Sequence, residues 1–195
     1  MSSLALAIAP TRIRRGWAYR VALALAGSWF VAALAQLEIR LPFTPVPVTG
    51  QTLGVLLVGA SCGSALGGLS LALYLAQGAL GLPFFAGGTS GFDVLSAASA
   101  TGGYLVGFVV AAVVVGALAD RGWDRDLRSS ISAMFLGEVV LYLVAIPWLM
   151  QAIGVGLGRA LALGLAPFVI GDALKLFAAA GALPAAWRLV RRDAR

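Results

Sequence analysis

The 195-residue chain contains no histidine, one cysteine and one lysine. Without histidine, His-based catalytic triads, HExxH zinc sites and histidine proton shuttles are excluded. A single cysteine, Cys62, allows neither an internal disulfide nor a thiol metal cluster. The only lysine, Lys175, lies in an apolar run, so the chain has no P-loop, and it has no Gly-x-Ser-x-Gly elbow. These absences argue against an enzyme. Because the chain has no P-loop, any ATP-driven work would need a partner subunit that binds the ATP.

Charge is also scarce, since 11% of the residues are charged and 61% are hydrophobic. An ordinary soluble domain is about a quarter charged, which makes this composition typical of a membrane protein. One helical span needs about 20 apolar residues, so six spans would use roughly 120 residues and leave only short connections. We therefore predict an all-α protein with six transmembrane helices. Residues 1–195 would form a single polytopic domain, with a basic tail at 1–16 and the bundle at 17–190.

The apolar runs and the breaks between them predict where the spans lie. The predicted spans are residues 21–37, 51–62, 64–80, 102–119, 131–150 and 166–190, the last with a bend near Pro184. Prolines predict an irregular loop at 38–50, and glycines predict turns or a hairpin at 81–100. The remaining connections are a charged loop at 120–128 and a connector at 151–165.

The arginines predict the orientation of this bundle. With six spans, eleven arginines fall on the side of both termini and the 120–128 loop, whereas only Arg40 and Arg159 fall on the opposite side. The positive-inside rule then places both termini in the cytoplasm and the 38–50 and 81–100 loops outside. Because the arginines lie at span ends rather than on one polar face, the net charge of +6 does not indicate nucleic-acid binding.

Two opposite charges lie inside the last predicted span. Asp172 and Lys175 are three residues apart, so on a helix they share a face. Facing lipid, the two would cost roughly 5–7 kcal/mol together, so they are expected to face the bundle, a cavity or each other. A buried structural ion pair and a polar ligand site are both compatible with this pattern. Glu138 in the fifth span could hydrogen-bond to a neighbouring helix, support a residue that binds the ligand, or contact the ligand itself.

Small residues recur at four-residue spacing in three spans, and such residues let helices approach closely in lipid. Ala18, Ala22 and Ala26 form one such row, which could dock onto another membrane protein or pack within the bundle. For the glycine pairs 63/67 and 103/107, packing within the chain is the favoured interpretation.

Four sequence blocks together resemble the BioY family, the biotin-specific substrate-binding (S) components of energy-coupling-factor (ECF) transporters. They are PFTPVPVTGQT at 42–52, GLPFFAGG at 81–88, TGGYLVGF at 101–108 and GDxxK at 171–175. The resemblance implies the ECF S-component fold, no enzymatic activity, a place in the prokaryotic plasma membrane, and uptake of biotin. Two departures stand out: Ser99-Ala100 replace the usual Gly-Pro, and Thr89-Ser90 occupy hairpin positions where some relatives carry a basic residue.

By the same resemblance, biotin would bind at the outer side between the last three helices, the 38–50 loop and the 81–100 hairpin. The expected ligand-binding residues are Asp172, Lys175, Gln51, Thr49, Phe85 and Tyr104. The expected partners are biotin, membrane lipid, a transmembrane coupling (T) component and two ATPases. From its small-residue spacing, the alanine row of span one is the candidate docking surface. No cofactor or metal is expected in this chain.

Two alternatives to ECF-driven uptake remain open from the sequence. A proton-coupled or solitary secondary carrier would use Asp172 or Glu138 as its proton relay, and a structural scaffold would leave Asp172 and Lys175 without a ligand. The sequence also leaves open whether the chain forms homo-oligomers and which group meets the carboxylate of biotin.

Overall fold

The computed structural model describes residues 3–5 and 16–193 of the chain. Several arginines used for the orientation lie outside these residues, namely Arg12, Arg14, Arg15 and Arg195. Residues 16–193 form six α-helices, which confirms the predicted all-α class. The helices are α1 (Trp17–Ala35), α2 (Gln51–Ala79), α3 (Gly102–Asp120), α4 (Leu127–Ile153), α5 (Leu157–Gly164) and α6 (Val169–Asp193).

Five of these helices, all except α5, are long and apolar enough to cross a membrane. The helix α2 is not one straight rod, because Gly63 interrupts it with φ +79° and ψ 176°. Only glycine adopts this backbone conformation readily. The first arm of α2 therefore ends at Cys62 and the second begins at Ser64, as the predicted boundary between spans two and three requires.

Contacts between the two arms of α2 show that the chain reverses at Gly63. The amide Nε2 of Gln51 donates to the hydroxyl of Tyr74 at 2.6 Å. In a straight helix these residues would be about 35 Å apart along the axis. A Cβ placed on Gly67 would lie 2.9 Å from the Cα of Gly59, so the arms touch backbone to backbone. Counting the arms separately gives six helical segments where the length criterion counts five candidate spans, and the first arm, 51–62, is the shortest of the six.

The predicted packing role is confirmed for Gly67, which meets Gly59, and for the pair 103/107, whereas Gly63 forms the turn between the arms of α2. A Cβ on Gly103 would lie 2.4 Å from the Cβ of Trp148, and one on Gly107 would lie 3.0 Å from the carbonyl oxygen of Leu141. Both contacts join α3 to α4 at a separation that larger residues would prevent. These glycines therefore hold together the helices that form one wall of the cavity described below.

The proline-rich loop contains a small element that the sequence did not predict. Strands β1 (Glu38–Ile39) and β2 (Val48–Thr49) pair antiparallel, with Glu38 opposite Thr49. The three prolines lie between the strands, where no ladder hydrogen bond is required of them. The 81–100 segment forms two 3₁₀ turns, Ala86–Gly88 and Phe92–Leu95, and we call the whole segment the hairpin loop.

Other predicted boundaries differ from the structure: α1 covers Trp17–Ala35 rather than 21–37, and α4 covers Leu127–Ile153 rather than 131–150. The predicted 151–165 connector contains the helix α5. Its residues Leu157 and Leu161 lie one turn apart, and Ala160 between them is buried. Helix α6 begins at Val169 rather than at 166, after a turn that contains Pro167. Pro184 lies inside α6, which continues beyond it to Asp193.

Candidate ligand-binding site

One cavity of about 560 Å³ lies beneath the two irregular loops. Its walls come from the β1–β2 loop, the start of α2, the hairpin loop, and the helices α3, α4 and α6. Apolar groups from Val46, Phe85, Leu105, Phe108 and Phe168 make up much of the lining. A mostly apolar pocket with a few convergent polar groups is the usual form of a small-molecule site.

The carboxylate of Asp172 is the best-connected polar group of this cavity. The residue is 3% exposed. Its Oδ1 accepts from Lys175 Nζ at 3.0 Å and from the Thr52 hydroxyl at 3.0 Å. Its Oδ2 accepts from the hydroxyl of Tyr142. A carboxylate has about four acceptor positions, so three donors leave about one for a ligand.

Lys175 lies beside Asp172 as the spacing predicts, but it is not among the residues that line the cavity. Its ammonium donates to the Thr52 hydroxyl at 2.9 Å as well as to Asp172. Thr52 therefore joins both members of the ion pair. This arrangement fixes the position of the Asp172 carboxylate, whereas Lys175 lies behind it.

Gln51 and Thr49 line the cavity, as the resemblance implied. The hydroxyl of Thr49 donates to Oε1 of Gln51 at 2.8 Å, and Gln51 in turn donates to Tyr74. The hydroxyl of Tyr74 donates a hydrogen bond to the carbonyl oxygen of Phe84 at 3.2 Å. This chain of hydrogen bonds links the β1–β2 loop to both arms of α2 and to the hairpin loop.

The aromatic candidates Phe85 and Tyr104 also line the cavity. Phe85 is 1% exposed and packs edge-on against Tyr74, with ring centroids 5.6 Å apart. The hydroxyl of Tyr104 donates to the carbonyl oxygen of Gly164 at 2.5 Å, which ties α3 to the end of α5. Tyr104 therefore offers a ligand its ring rather than its hydroxyl proton.

Sequence reasoning missed two residues of the Asp172 cluster, Thr52 and Tyr142. Thr52 is the last residue of the first sequence block, directly after Gln51, so its place in the motif was a usable signal. Tyr142 stands one helical turn after Glu138, and no motif marks it. Only the packing of α4 against α6 brings its hydroxyl to Asp172.

Glu138 lies outside the cavity, on a second, laterally open groove of about 630 Å³ between α4, α5 and α6. Its Oε1 is buried and has no hydrogen-bond partner among the described residues. Tyr142 and Asp172 line both the groove and the cavity, so they form part of the wall between the two.

The alanine row of α1 faces outward. Ala18, Ala22 and Ala26 are all exposed, whereas the opposite face of α1 packs against α2 through Gly27 and Ser28. Of the two interpretations of this row, packing within the described chain is not what the structure shows. No described residue buries this row, and its role in docking stays a prediction.

Comparisons with known proteins agree with this architecture. The BioY family profile matches residues 7–192 of the chain. A biotin transporter BioY of Rhizobium etli is 36% identical over 77% of this chain and 83% of its own length. Another, from Thermotoga maritima, is 33% identical over 82% of this chain and 86% of its own length.

The fold has a solved counterpart. The crystal structure of the S-component for biotin from an ECF-type ABC transporter superposes with a TM-score of 0.81 at 22% identity, covering 92% of this chain and 95% of that one. At this identity the match establishes the S-component fold. Together, the profile, the relatives and the fold show that the chain is a multi-pass membrane protein that belongs to the BioY family.

Proposed function

We propose that this protein captures biotin from outside the cell and delivers it across the plasma membrane as the S component of an ECF transporter. The observation that carries the proposal is the Asp172 carboxylate, held by three donors at the wall of a largely apolar cavity. The names of the relatives, which are biotin transporters, support biotin as the ligand.

The chemistry of biotin suits such a cavity. Its ureido ring has two N–H donors and one carbonyl acceptor, its sulfur ring and side chain are apolar, and its side chain ends in a carboxylate. One ureido N–H would take the remaining acceptor position of Asp172, and aromatic groups such as Phe85 would cover the apolar middle. In a mostly dry cavity each polar contact is strengthened. Nanomolar binding, about −12 kcal/mol, is therefore expected.

A fluorescence titration tests the ligand. The indole N–H of Trp148 donates to the carbonyl oxygen of Ser99, a residue that lines the cavity, at 3.2 Å. Ligand binding should change this environment. Purified protein titrated with biotin should show a saturable change in tryptophan emission, whereas thiamine and riboflavin should not. No response to biotin, or an equal response to all three vitamins, would contradict the proposal.

The coupling partners form a second part of the proposal. We expect the exposed row of Ala18, Ala22 and Ala26 to meet a helix of the T component, which in turn binds two ATPases. The orientation from the arginine count would then place the cavity outside and the 120–128 loop inside. Ala22→Trp should leave biotin binding intact and abolish ATP-driven uptake, whereas Ala178→Trp, on an exposed position of α6, should preserve both.

The secondary-carrier alternative predicts a different result in the same assay. Proteoliposomes that contain only this chain would accumulate biotin and lose it on addition of an uncoupler. The ECF proposal expects no accumulation until the T component, the ATPases and ATP are present.

A further inference from the structure

We infer that Arg40 recognises the carboxylate of the ligand and thereby makes the cavity selective for an anionic vitamin; this inference rests on the proposed function. Arg40 is the only cationic side chain among the described residues that line the cavity. Three acidic residues, Glu38, Asp93 and Asp172, share the lining. An anion entering this cavity therefore has one side chain of opposite charge to meet.

The position of Arg40 follows from the strand β1. Glu38 is held in register opposite Thr49, and Arg40 follows the strand directly. The Nε of Arg40 donates to Oε1 of Glu38 at 2.9 Å. A guanidinium has five N–H donors, so this bond leaves the four on the two Nη nitrogens available. Those four form the planar fork that binds a carboxylate in bidentate fashion.

The two side chains of this ion pair differ in burial. The side chain of Glu38 is 17% exposed, whereas that of Arg40 is 69% exposed. Glu38 is therefore the anchored member, and the guanidinium extends into the solvent-accessible part of the cavity. A ligand carboxylate can approach it there while the Glu38 contact stays intact.

The hairpin loop approaches the guanidinium from the other side. Gly87 has φ +63°, and a Cβ added there would lie 2.6 Å from an Nη atom of Arg40 and 2.5 Å from Oε1 of Glu38. The ion pair thus rests directly on the backbone of Gly87. Arg40 consequently stands where the β1–β2 loop and the hairpin loop meet over the cavity, whereas Asp172 comes from the helical wall.

A ligand carboxylate at the loop end of the cavity needs a positive charge beside it, because two acidic side chains lie there. Glu38 and Asp93 both come from these loops, and each would repel a ligand carboxylate placed near it. Without Arg40, the charged side chains that the described loops present to the entering anion would all be negative. With it, the terminal carboxylate gains a charge-assisted contact, and the ureido end remains free to meet Asp172.

Biotin and its uncharged methyl ester separate this role from general binding. The wild-type protein should bind biotin more tightly than the ester. Arg40→Ala should weaken biotin binding about tenfold, a value tempered by the exposure of the site, and leave ester binding unchanged. Arg40→Lys should retain part of the preference. Arg159→Ala, the other arginine of the predicted outer side and not a cavity residue, should alter neither affinity.

Glu38→Gln should change the preference for biotin over its methyl ester in the direction opposite to Arg40→Ala. It removes a negative charge that would repel the ligand carboxylate, and its amide oxygen can still accept from Nε of Arg40, so the preference for biotin over the ester should increase. Equal losses of biotin and ester binding in Arg40→Ala would overturn the inference, as would no change in either. If the wild-type protein binds neither compound, the proposed function itself fails, and the inference fails with it.

Discussion

The hydroxyl of Tyr142 on α4 donates a hydrogen bond to Oδ2 of Asp172 on α6, and both side chains border the cavity and the lateral groove. The contact joins the two helices at the wall between these spaces. The other oxygen of the Asp172 carboxylate, Oδ1, accepts from the hydroxyl of Thr52. Tyr142 thus acts as a positioning residue for the group that we expect to bind the ligand.

Replacing Tyr142 by phenylalanine removes this hydrogen bond and keeps the ring. A hydrogen bond to a charged group contributes about 1.5–3 kcal/mol, so biotin binding should weaken by about 10- to 100-fold in a calorimetric titration. Tyr19→Phe is the matched control, because the Tyr19 hydroxyl donates only to the carbonyl oxygen of Ala5, away from the cavity. Unchanged affinity in Tyr142→Phe would show that Asp172 does not need this donor.

The Asp172–Lys175 pair allows a test that separates a structural role from a ligand-binding one. Lys175→Met leaves the buried carboxylate without its counter-ion, which should lower stability by about 3 kcal/mol or more. Combining it with Asp172→Asn removes both charges and should restore much of the lost thermal stability in detergent. The double variant should still bind biotin poorly. Binding equal to that of the wild type would mean that the pair serves only the fold.

The chain reversal in α2 depends on Gly63. A Cβ there would lie 2.5 Å from Oδ1 of Asp120, and the φ of +79° is unfavourable for any other residue. Gly63→Ala should therefore lower stability by about 2 kcal/mol or more. Gly181→Ala in α6, where a Cβ would meet nothing within 4 Å, should be neutral or slightly stabilising. Similar unfolding midpoints for the two variants would contradict this account of the turn.

Two aspartates outside the membrane-spanning segments should give stability opposite dependences on pH. Burial raises the pKa of the Asp124 carboxyl, whose Oδ2 accepts from the indole of Trp187. The hydroxyl and backbone N–H of Ser129 lower the pKa of Asp126, which caps α4. A carboxyl whose pKa is raised in the folded protein stabilises the fold below its pKa in the unfolded chain, near 3.9. This stabilisation is lost as pH rises through its pKa in the folded protein. A carboxyl whose pKa is lowered in the folded protein stabilises the fold above its pKa in the unfolded chain. This stabilisation is lost as pH falls through its pKa in the folded protein.

Unfolding midpoints of Asp124→Asn and Asp126→Asn, each subtracted from the wild type between pH 3 and pH 7, isolate these contributions. Asp124→Asn should gain stability relative to the wild type as pH rises, and it keeps an acceptor for Trp187. Asp126→Asn should lose relative stability over the same range. Difference curves of the same sign would show that one of these assignments is wrong.

Much of the fold could be predicted because a bilayer restricts the alternatives. Apolar length fixes the spans, proline and glycine fix the irregular loops, and Gly63 marks the boundary between two spans. The helix α5 escaped prediction since its eight residues are too few to give a membrane-span pattern, and surrounding glycines suggest a connector. The cytoplasmic location of the termini stays a prediction.

The candidate site could be predicted less completely. The cost of charge in lipid singles out Asp172 and Lys175, and helical spacing places them side by side. Spacing along one helix does not reveal that Lys175 turns to Thr52, some 120 residues away in sequence, rather than into the cavity. Nor does it reveal Tyr142, because that contact depends on how α4 and α6 pack. The binding roles of all these residues stay predictions until ligand affinities are measured.

The most direct test of the central claim is equilibrium dialysis of labelled biotin against the purified wild-type protein and Asp172→Asn. The wild type should retain one equivalent of biotin with nanomolar affinity, and Asp172→Asn should bind at least tenfold more weakly. Asp93→Asn, the same substitution at an exposed position of the cavity lining, should not weaken binding. Equal retention of biotin by the wild type and Asp172→Asn, or no retention by the wild type, would contradict the account.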